Sequence, residues 1–250
     1  MKLHKQNYMK RIIIYLLGLI GYKISKIQID APSVRTMRSA VQRLAEKHQI
    51  NTIIDVGASN GIWSRLVLDY YPKSQYFLIE ANPAHEQALK DFVVKNNNAQ
   101  FILAAAGDKQ GEQINFLFDT EDLYGGQASY VPQSNSVTIS EITIDNEIQS
   151  RKLRGPFLIK LDTHGFEVPI FRGAIETLQD TDVIIVECYN FKISPECLLF
   201  REMCEYLDRL GFRCIDLADP LWRPLDQAFW QMDLIFIRKE SPEFSYSGYR

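Results

Sequence analysis

The stretch IIDVGASNGIW, residues 53–63, joins three local patterns that together decide the fold. Its first half is a short apolar run rich in β-branched residues, which is typical of a buried strand. Gly57 and Gly61 then allow the backbone to turn sharply and to approach a ligand closely. The helix predicted after this turn offers free backbone N–H groups at its first residues. The stretch therefore predicts a strand, a ligand-binding turn and a helix in direct succession.

An acidic residue at the end of the next predicted strand supports a nucleoside ligand. The strand covers residues 75–80, and Glu80 follows Gly61 by nineteen positions. A carboxylate at this place in a parallel sheet can accept hydrogen bonds from both hydroxyls of a ribose. The G-x-S-x-G spacing departs from the G-x-G-x-x-G pattern of dinucleotide sites, so a pyrophosphate is poorly accommodated. An NAD-dependent oxidoreductase is therefore the less favoured alternative, also because residues 31–250 contain no Tyr-x-x-x-Lys pair.

Strand and helix patterns alternate along most of the chain. Further strands are predicted at residues 100–106, 113–118, 136–142, 157–161 and 183–187, and helices at residues 34–44, 63–71, 84–95, 171–178 and 198–210. The last two strands, residues 213–217 and 232–237, are joined by a stretch without a helical pattern, which favours antiparallel pairing. We therefore expect an α/β fold with a mostly parallel sheet and helices on both faces.

Composition and charge exclude some classes of function. The chain has 46% hydrophobic and 24% charged residues, as ordinary globular proteins do. Its net charge of −3 disfavours nucleic acid as a partner, because phosphate binding needs clustered Lys and Arg. The four cysteines form no C-x-x-C pair, which favours a reducing cytoplasm and disfavours a structural zinc site.

The first residues differ from the rest of the chain in charge. Residues 1–29 contain six Lys or Arg and no acid, so the net charge of −3 leaves −9 for the remainder. The apolar run inside this segment is shorter than the roughly 20 residues that span a bilayer. It predicts either an interfacial helix on anionic lipid at the inner membrane face or a helix that packs on the body or in a homodimer. We therefore divide the chain into an arm, residues 1–30, and one domain, residues 31–250.

Several short motifs occur in an order that resembles the FkbM family of methyltransferases. They cover roughly residues 50–190 and are, in chain order, DVGASNG, IEANP, AAAGDKQGEQINF, GGQAS, TIDNEI, IKLDTHGFEVPIFRGA and IIVECYNF. The box Lys-x-Asp-x-x-Gly-x-Glu, residues 160–167, is the most specific of them. The resemblance implies a Rossmann-like class I methyltransferase fold, with a seven-stranded sheet whose last strand is antiparallel. The family commonly has an acid at the position of His164, so this chain departs from the pattern there.

The resemblance also implies a cofactor, a reaction and a set of binding residues. The cofactor is S-adenosyl-L-methionine, and family members methylate hydroxyl oxygens, often on sugars of polysaccharides and glycolipids or on natural products. Asp162 is implied to lie near the reactive methyl group. The residues implied to bind the cofactor are Asp55, Gly57, Ala58, Ser59, Asn60 and Gly61 around the methionine part, Glu80, Ala81 and Asn82 at the ribose, and Ala105, Ala106 and Asp108 at the adenine.

Three side chains near predicted strand ends are candidates for the catalytic groups. Asp162, His164 and Glu187 fall on the side of the sheet where Gly57 and Glu80 lie. An alcohol is a poor nucleophile, so a base close to it is valuable. His164 titrates nearest neutrality and is the expected base, with Asp162 as the alternative base or as an anchor for the acceptor. No metal is expected, because no ligand spacing is seen in the sequence; a divalent cation on Asp162 and Glu187 is the alternative.

Two regions are candidates for contact with the acceptor. The segment 120–135 is the longest without a periodic pattern, which is typical of binding loops and lids. The expected function is O-methylation of a saccharide, glycolipid or related acceptor by a cytoplasmic enzyme. A non-catalytic nucleoside-binding module recruited to membranes by its arm is the remaining alternative. Aromatic residues late in the chain can stack on a sugar or serve the core or a dimer contact; they are Tyr189, Phe191, Trp222, Phe229 and Trp230.

Overall fold

The computed structural model describes residues 35–118, 125–132 and 134–249. The arm predicted at residues 1–30 lies outside this part of the chain, so its contact with lipid or with another chain stays a prediction. Among the described residues, no helix has the length and apolar character needed to cross a membrane.

Strands and helices alternate along the described residues. The α-helices are α1 (Met37–Ala45), α2 (Ile62–Leu68), α3 (Glu86–Lys95), α4 (Ile144–Arg151), α5 (Glu167–Arg172) and α6 (Phe200–Arg209). The strands are β1 (Thr52–Val56), β2 (Gln75–Glu80), β3 (Ala99–Leu103), β4 (Ala105–Ala106), β5 (Gln113–Leu117), β6 (Gln127–Ser129), β7 (Val137–Ile142), β8 (Phe157–Leu161), β9 (Thr181–Tyr189), β10 (Phe212–Trp222) and β11 (Phe229–Arg238). Short 3-10 turns occur at Pro83–His85, Thr177–Asp180 and Pro242–Phe244.

The main sheet has seven strands in the order β10–β11–β9–β8–β1–β2–β3. The strands from β9 to β3 in this order pair in parallel, whereas β11 is antiparallel to both β9 and β10. The predicted mostly parallel sheet with an antiparallel last strand is therefore confirmed. Because parallel strands end at the same edge of a sheet, the residues that follow β1, β2, β8 and β9 meet at one place.

The main sheet buries side chains on both of its faces. In β1, Ile54 belongs to one core cluster and Ile53 to the other, and in β8 Ile159 and Leu158 repeat this alternation. Helices α1, α2 and α3 cover the face of Ile53, and α4, α5 and α6 cover the face of Ile54. Burial on both faces explains why these strands read as continuous apolar runs. The prediction of helices on both faces is confirmed.

The chain leaves the main sheet after β3 and enters a second, four-stranded sheet in the order β4–β7–β5–β6. The single strand predicted at residues 100–106 is therefore wrong in its second part. The N–H of Ala104 still donates to the carbonyl oxygen of Glu80, whereas β4 pairs with β7. Ile114 and Ile142 connect the second sheet to the core on one face of the main sheet. The two sheets thus share a hydrophobic core.

The helix predicted at residues 171–178 is also wrong. α5 begins earlier, at Glu167, and ends at Arg172. A Cβ atom at Gly173 would lie 1.9 Å from the carbonyl oxygen of Gly107, so two backbone segments approach closely where the predicted helix would continue. The last two strands are longer than predicted, because β10 and β11 pair with each other beyond the end of β9.

We expect Leu158→Ala to reduce the free energy of unfolding by about 2–5 kcal/mol, because it leaves a cavity in a central strand. Leu158 is 0% exposed in β8, between β1 and β9. Leu225 is 85% exposed and provides the matched control, for which we expect a change within about 0.5 kcal/mol. Urea denaturation followed by circular dichroism measures both changes. Equal losses for the two variants would contradict the assignment of Leu158 to the core.

Candidate active site

A cavity of about 260 Å³ lies at the edge of the main sheet where β1, β2, β8 and β9 end. Much of its wall is apolar and includes Ile79, Phe116 and Phe166. Polar groups come from the turn after β1, from the end of β2 and from the residues that follow β8. Strand β6 of the second sheet contributes Ala128, and the residue just before this strand contributes Gly126. A mostly apolar cleft with a few polar groups is the usual form of a site for a small molecule.

The turn after β1 requires glycine at position 57. Gly57 has a φ of +72°, and a Cβ atom there would lie 2.0 Å from the carbonyl oxygen of Asp162. Any side chain would therefore push the turn away from the end of β8. Of the predicted turn residues, Gly57 and Ser59 line the cavity, whereas Ala58, Asn60 and Gly61 lie outside its wall.

Two backbone N–H groups hold Glu80 in the cavity wall. Its Oε2 accepts a hydrogen bond from the N–H of Ser59 at 2.6 Å, and its Oε1 accepts one from the N–H of Asn82 at 2.7 Å. Burial raises the pKa of Glu80, and these hydrogen bonds oppose the rise. The Ser59 hydroxyl lies 3.2 Å from Nε2 of His85, a buried residue that no sequence pattern singled out. The structure thus fixes the carboxylate before any ligand binds.

Lys160 is a buried cation next to the turn. Its Nζ lies 3.3 Å from Oδ1 of Asp55, 3.2 Å from Oδ2 of Asp162 and 3.1 Å from the carbonyl oxygen of Gly57. Ser64 donates a hydrogen bond of 2.7 Å to the other oxygen of Asp55. Burial lowers the pKa of Lys160, but the two carboxylates outweigh this effect and hold the pKa above its ordinary value. Asp55 is fully buried and supports the turn from outside the cavity wall.

Asp162, His164 and Glu187 form a triad in which the three side chains converge. Their potential ligand atoms all lie within 4.8 Å of one another. Nε2 of His164 is 3.5 Å from Oδ1 of Asp162 and 3.6 Å from Oε2 of Glu187. Nδ1 of His164 is 3.0 Å from the carbonyl oxygen of Gly126. Because a carbonyl oxygen can only accept, Nδ1 carries a proton, and Nε2 of the neutral ring presents a lone pair.

The two carboxylates of the triad differ in their surroundings. Burial raises the pKa of Asp162, but the charge of Lys160 outweighs it, so this pKa lies below its ordinary value. Burial, reinforced by the charge of Asp162, raises the pKa of Glu187 to about 9. The hydroxyl of Tyr189 and the side-chain amide of Gln231 donate to the two oxygens of Glu187. Glu187 is therefore positioned by neighbours on β9 and β11.

The turn that carries His164 has an unusual backbone. His164 has a φ of +53° and Gly165 a φ of +102°, both in the left-handed region. The buried carboxylate of Glu167 accepts hydrogen bonds from the N–H of Gly165 at 2.9 Å and from the hydroxyl of Thr163 at 3.1 Å. Glu167 thus holds the turn in the conformation that brings the imidazole to the two carboxylates.

The triad also has side chains of the types that bind metal ions. The expectation of no metal depended on the absence of a ligand spacing in the sequence. Asp162 and His164 follow β8, whereas Glu187 lies on β9, so the fold brings together groups that are distant in the sequence.

The remaining predicted residues are divided between the cavity wall and its surroundings. Ala81, Asn82, Ala105 and Ala106 line the cavity. Asp108 lies outside the wall and accepts a hydrogen bond of 2.5 Å from the hydroxyl of Tyr130. His85 lines the cavity without any sequence signal, because it lies just beyond the IEANP motif. The segment 120–135, predicted to contact the acceptor, contributes Gly126 and Ala128 to the wall. The family motifs also contain wall residues for which no individual role was predicted; they are Phe116, Thr163, Phe166 and Ile170.

Comparison with known proteins gives a family for this arrangement. The family model described as Methyltransferase FkbM domain matches residues 55–214. The chain belongs to this family. A putative O-methyltransferase from Klebsiella pneumoniae has 12% identity and a TM-score of 0.48 over 87% of this chain and 82% of that one. A precorrin-6y C5,15-methyltransferase from Geobacter metallireducens GS-15 has 12% identity and a TM-score of 0.44 over 81% of this chain and 87% of that one. No curated protein matched the sequence.

The FkbM domain makes the chain a methyltransferase that uses S-adenosylmethionine, and the cavity fits this cofactor. Glu80 lies in the wall at the end of β2, where its carboxylate can accept hydrogen bonds from ribose hydroxyls. The backbone of Gly57 lines the cavity beside Glu80, and Ala105 and Ala106 give an apolar surface for a purine. When bound, the cofactor supplies a methyl group that the sulfonium charge activates for transfer.

We expect stability to depend on pH through Glu187. In the unfolded chain its pKa is about 4.3, so between this value and the folded pKa of about 9 the folded state binds more protons. Stability contributed by this group is therefore present at low pH and is lost as pH rises through the window. With a chelator present, Glu187→Gln should lose less unfolding free energy than the wild type between about pH 5 and about pH 8. Urea denaturation across this range measures the difference, and the exposed Glu205→Gln is the control. Parallel curves for all three proteins would contradict the assignment.

Proposed function

We propose that the protein is an S-adenosylmethionine-dependent O-methyltransferase that acts on a hydroxyl group of a saccharide, glycolipid or related natural product. One observation carries the proposal. The triad of Asp162, His164 and Glu187 lines the same cavity as Gly57 and Glu80, which are suited to the cofactor. A hydroxyl group is the acceptor that most needs such a cluster, because it is a poor nucleophile until its proton is removed.

The triad has the chemistry to bind and activate a hydroxyl group. Its carboxylates accept hydrogen bonds and orient the acceptor oxygen, which lowers the entropic part of the barrier. A group of the triad would take the proton of the hydroxyl, and the electron pair left on oxygen would form the new bond to the methyl carbon. The bond from that carbon to the sulfur of the cofactor would break with its electron pair left on sulfur. The position of Asp162 is fixed by Lys160, so the acceptor is oriented relative to the glycine turn.

Aromatic side chains next to the triad support a saccharide as the acceptor. The rings of Tyr189 and His164 lie 6.5 Å apart in an edge arrangement, and Tyr189 contacts Trp230 at 6.0 Å. Trp230 in turn stacks on Phe191 at 5.2 Å. Aromatic faces beside hydrogen-bonding groups suit a sugar ring, which has apolar C–H faces and a polar rim. The choice among the hydroxyls of the sugar then depends on the surrounding loops, because the specificity for the acceptor resides in loops.

We expect the protein to bind S-adenosylhomocysteine and to depend on Glu80 for this binding. Glu80→Gln keeps the shape of the side chain but removes its charge, which should weaken binding by about 10- to 100-fold. Glu205→Gln makes the same change on the exposed surface of α6 and should bind as the wild type does. Isothermal titration calorimetry measures all three affinities. Absence of heat from the wild type would contradict the cofactor assignment.

We expect methyl transfer from labelled cofactor to an acceptor in a panel of sugar nucleotides and lipid-linked glycans. Asp162→Asn should lower kcat by about 10²- to 10⁴-fold, because it weakens both activation of the hydroxyl and the pairing with Lys160. Its affinity for S-adenosylhomocysteine should stay near that of the wild type, since Asp162 acts on the acceptor. The exposed Asp226→Asn is the control. Transfer to a nitrogen or carbon acceptor alone would refute the proposed O-methylation.

A further inference from the structure

The triad brings three electron-pair donors to one point. The proton of His164 on Nδ1 is directed to the carbonyl oxygen of Gly126, so Nε2 of the neutral ring has a lone pair. The nearest oxygens of Asp162 and Glu187 face this nitrogen at 3.5 Å and 3.6 Å. Ionised carboxylates are acceptors only, and three acceptors around one point repel each other. The arrangement therefore favours a proton on one of the three groups or a metal ion at its centre.

The two distances from Nε2 of His164 match those between ligands of one metal ion. Metal–ligand distances for imidazole nitrogen and carboxylate oxygen are about 2.0–2.2 Å. Two such ligands of one ion lie about 3.0 Å apart at a right angle and about 3.5 Å apart at a tetrahedral angle. The observed separations of 3.5 Å and 3.6 Å at Nε2 correspond to the wider of these arrangements. A proton on Nε2, in contrast, can bond well to one carboxylate at a time.

The outer atoms of all three side chains have partners that orient them. Nδ1 of His164 donates to Gly126, and Lys160 contacts the oxygen of Asp162 that points away from the imidazole. The donors from Tyr189 and Gln231 hold Glu187. Metal-binding side chains in proteins have outer partners of this kind, which fix the direction of the lone pairs toward the ion.

The acidic groups around the triad favour the binding of a divalent cation. Asp162 and Glu187 lie near two further carboxylates, because Asp55 shares Lys160 and Asp233 stands opposite Glu187 in the pairing of β9 with β11. Lys160 is the ammonium group among them. Four carboxyl groups thus surround one ammonium, so the cluster takes up further positive charge, either as protons or as a divalent cation.

We propose that Asp162, His164 and Glu187 bind a divalent metal ion, and that this ion in turn binds the hydroxyl group of the acceptor. One imidazole with two carboxylates suits Mn²⁺, Fe²⁺ or Zn²⁺ better than Mg²⁺, which prefers oxygen ligands. Three protein ligands leave an open position for an oxygen of the acceptor, such as a hydroxyl of a sugar. A hydroxyl on the ion releases its proton to water more readily and keeps the electron pair for the new bond. His164 is then a ligand, which replaces the expectation that it is the base. The role of the acceptor rests on the proposed O-methylation, whereas the metal site does not.

Electron paramagnetic resonance with Mn²⁺ alone tests the metal site directly. The free ion gives a signal that decreases on binding, so the full chain, freed of metal with a chelator and dialysed, can be titrated without cofactor or acceptor. We expect one Mn²⁺ per wild-type chain at the triad. His164→Asn and Glu187→Gln should each weaken binding by about tenfold or more. His48→Asn, at the opposite end of β1 from Gly57, and Glu205→Gln on α6 should bind as the wild type does.

A second measurement on the same samples distinguishes a residue that binds the metal from one that only maintains the fold. Electron spin echo modulation detects a nitrogen nucleus bound to Mn²⁺, which we expect in the wild type and in His48→Asn but not in His164→Asn. Circular dichroism shows that each variant is folded. No uptake of Mn²⁺ by the wild type, or equal uptake by His164→Asn, would overturn the metal site and indicate that a proton, not a metal ion, connects the three groups. Methyl transfer that persists in excess chelator would overturn the role of the ion in activating the hydroxyl while leaving the proposed function intact. A chain that binds Mn²⁺ at the triad but methylates no hydroxyl counts against the proposed function alone.

Discussion

The contact on which the rest of the site depends is the buried ammonium of Lys160 between two carboxylates. A buried charge is costly unless it is paired, and Lys160 is 4% exposed. Asp55 comes from β1 and Asp162 from the end of β8, so the ion pairs connect two neighbouring strands where they end. The hydrogen bond to the carbonyl oxygen of Gly57 adds the glycine turn to the same network. Loss of one partner in such a network typically costs about 3–5 kcal/mol, because it leaves another charge buried and unpaired.

Asp162 serves the structural network and the reacting site at the same time. One of its oxygens pairs with Lys160, and the other faces the imidazole of His164. The carbonyl of this residue also approaches Gly57 so closely that no side chain fits there. The cofactor turn and the triad are therefore held in one rigid relation, although they lie more than a hundred residues apart in the sequence. A reaction that depends on alignment of two substrates benefits from such a fixed relation.

Local sequence patterns predicted those parts of the fold that depend on neighbouring residues. The strands at β1, β2 and β8 and the glycine turn follow from short apolar runs and from backbone freedom. The predicted helix at 171–178 failed because Gly173 meets the backbone of Gly107, a contact between distant segments. Asp55 was assigned to the cofactor by its place in a motif, but its carboxylate pairs with Lys160 outside the cavity wall. His85 had no local pattern, since tertiary packing alone brings it to the cavity.

The orientation of His164 shows why the catalytic part of the site was harder to predict than the cofactor part. Its imidazole is oriented by the carbonyl oxygen of Gly126, and its own carbonyl oxygen accepts a hydrogen bond from the side chain of Gln127. A Cβ atom at Gly126 would lie 2.4 Å from the ring of Phe116, so the close approach of this segment requires glycine. A left-handed backbone is energetically unfavourable for a residue such as His164, so it persists only where the surrounding structure fixes it. The second sheet supplies these surroundings, and it thereby determines which nitrogen of His164 faces the carboxylates. The orientation of the triad thus depends on contacts between the two sheets, whereas the cofactor turn depends on β1 and on the next strand, β2.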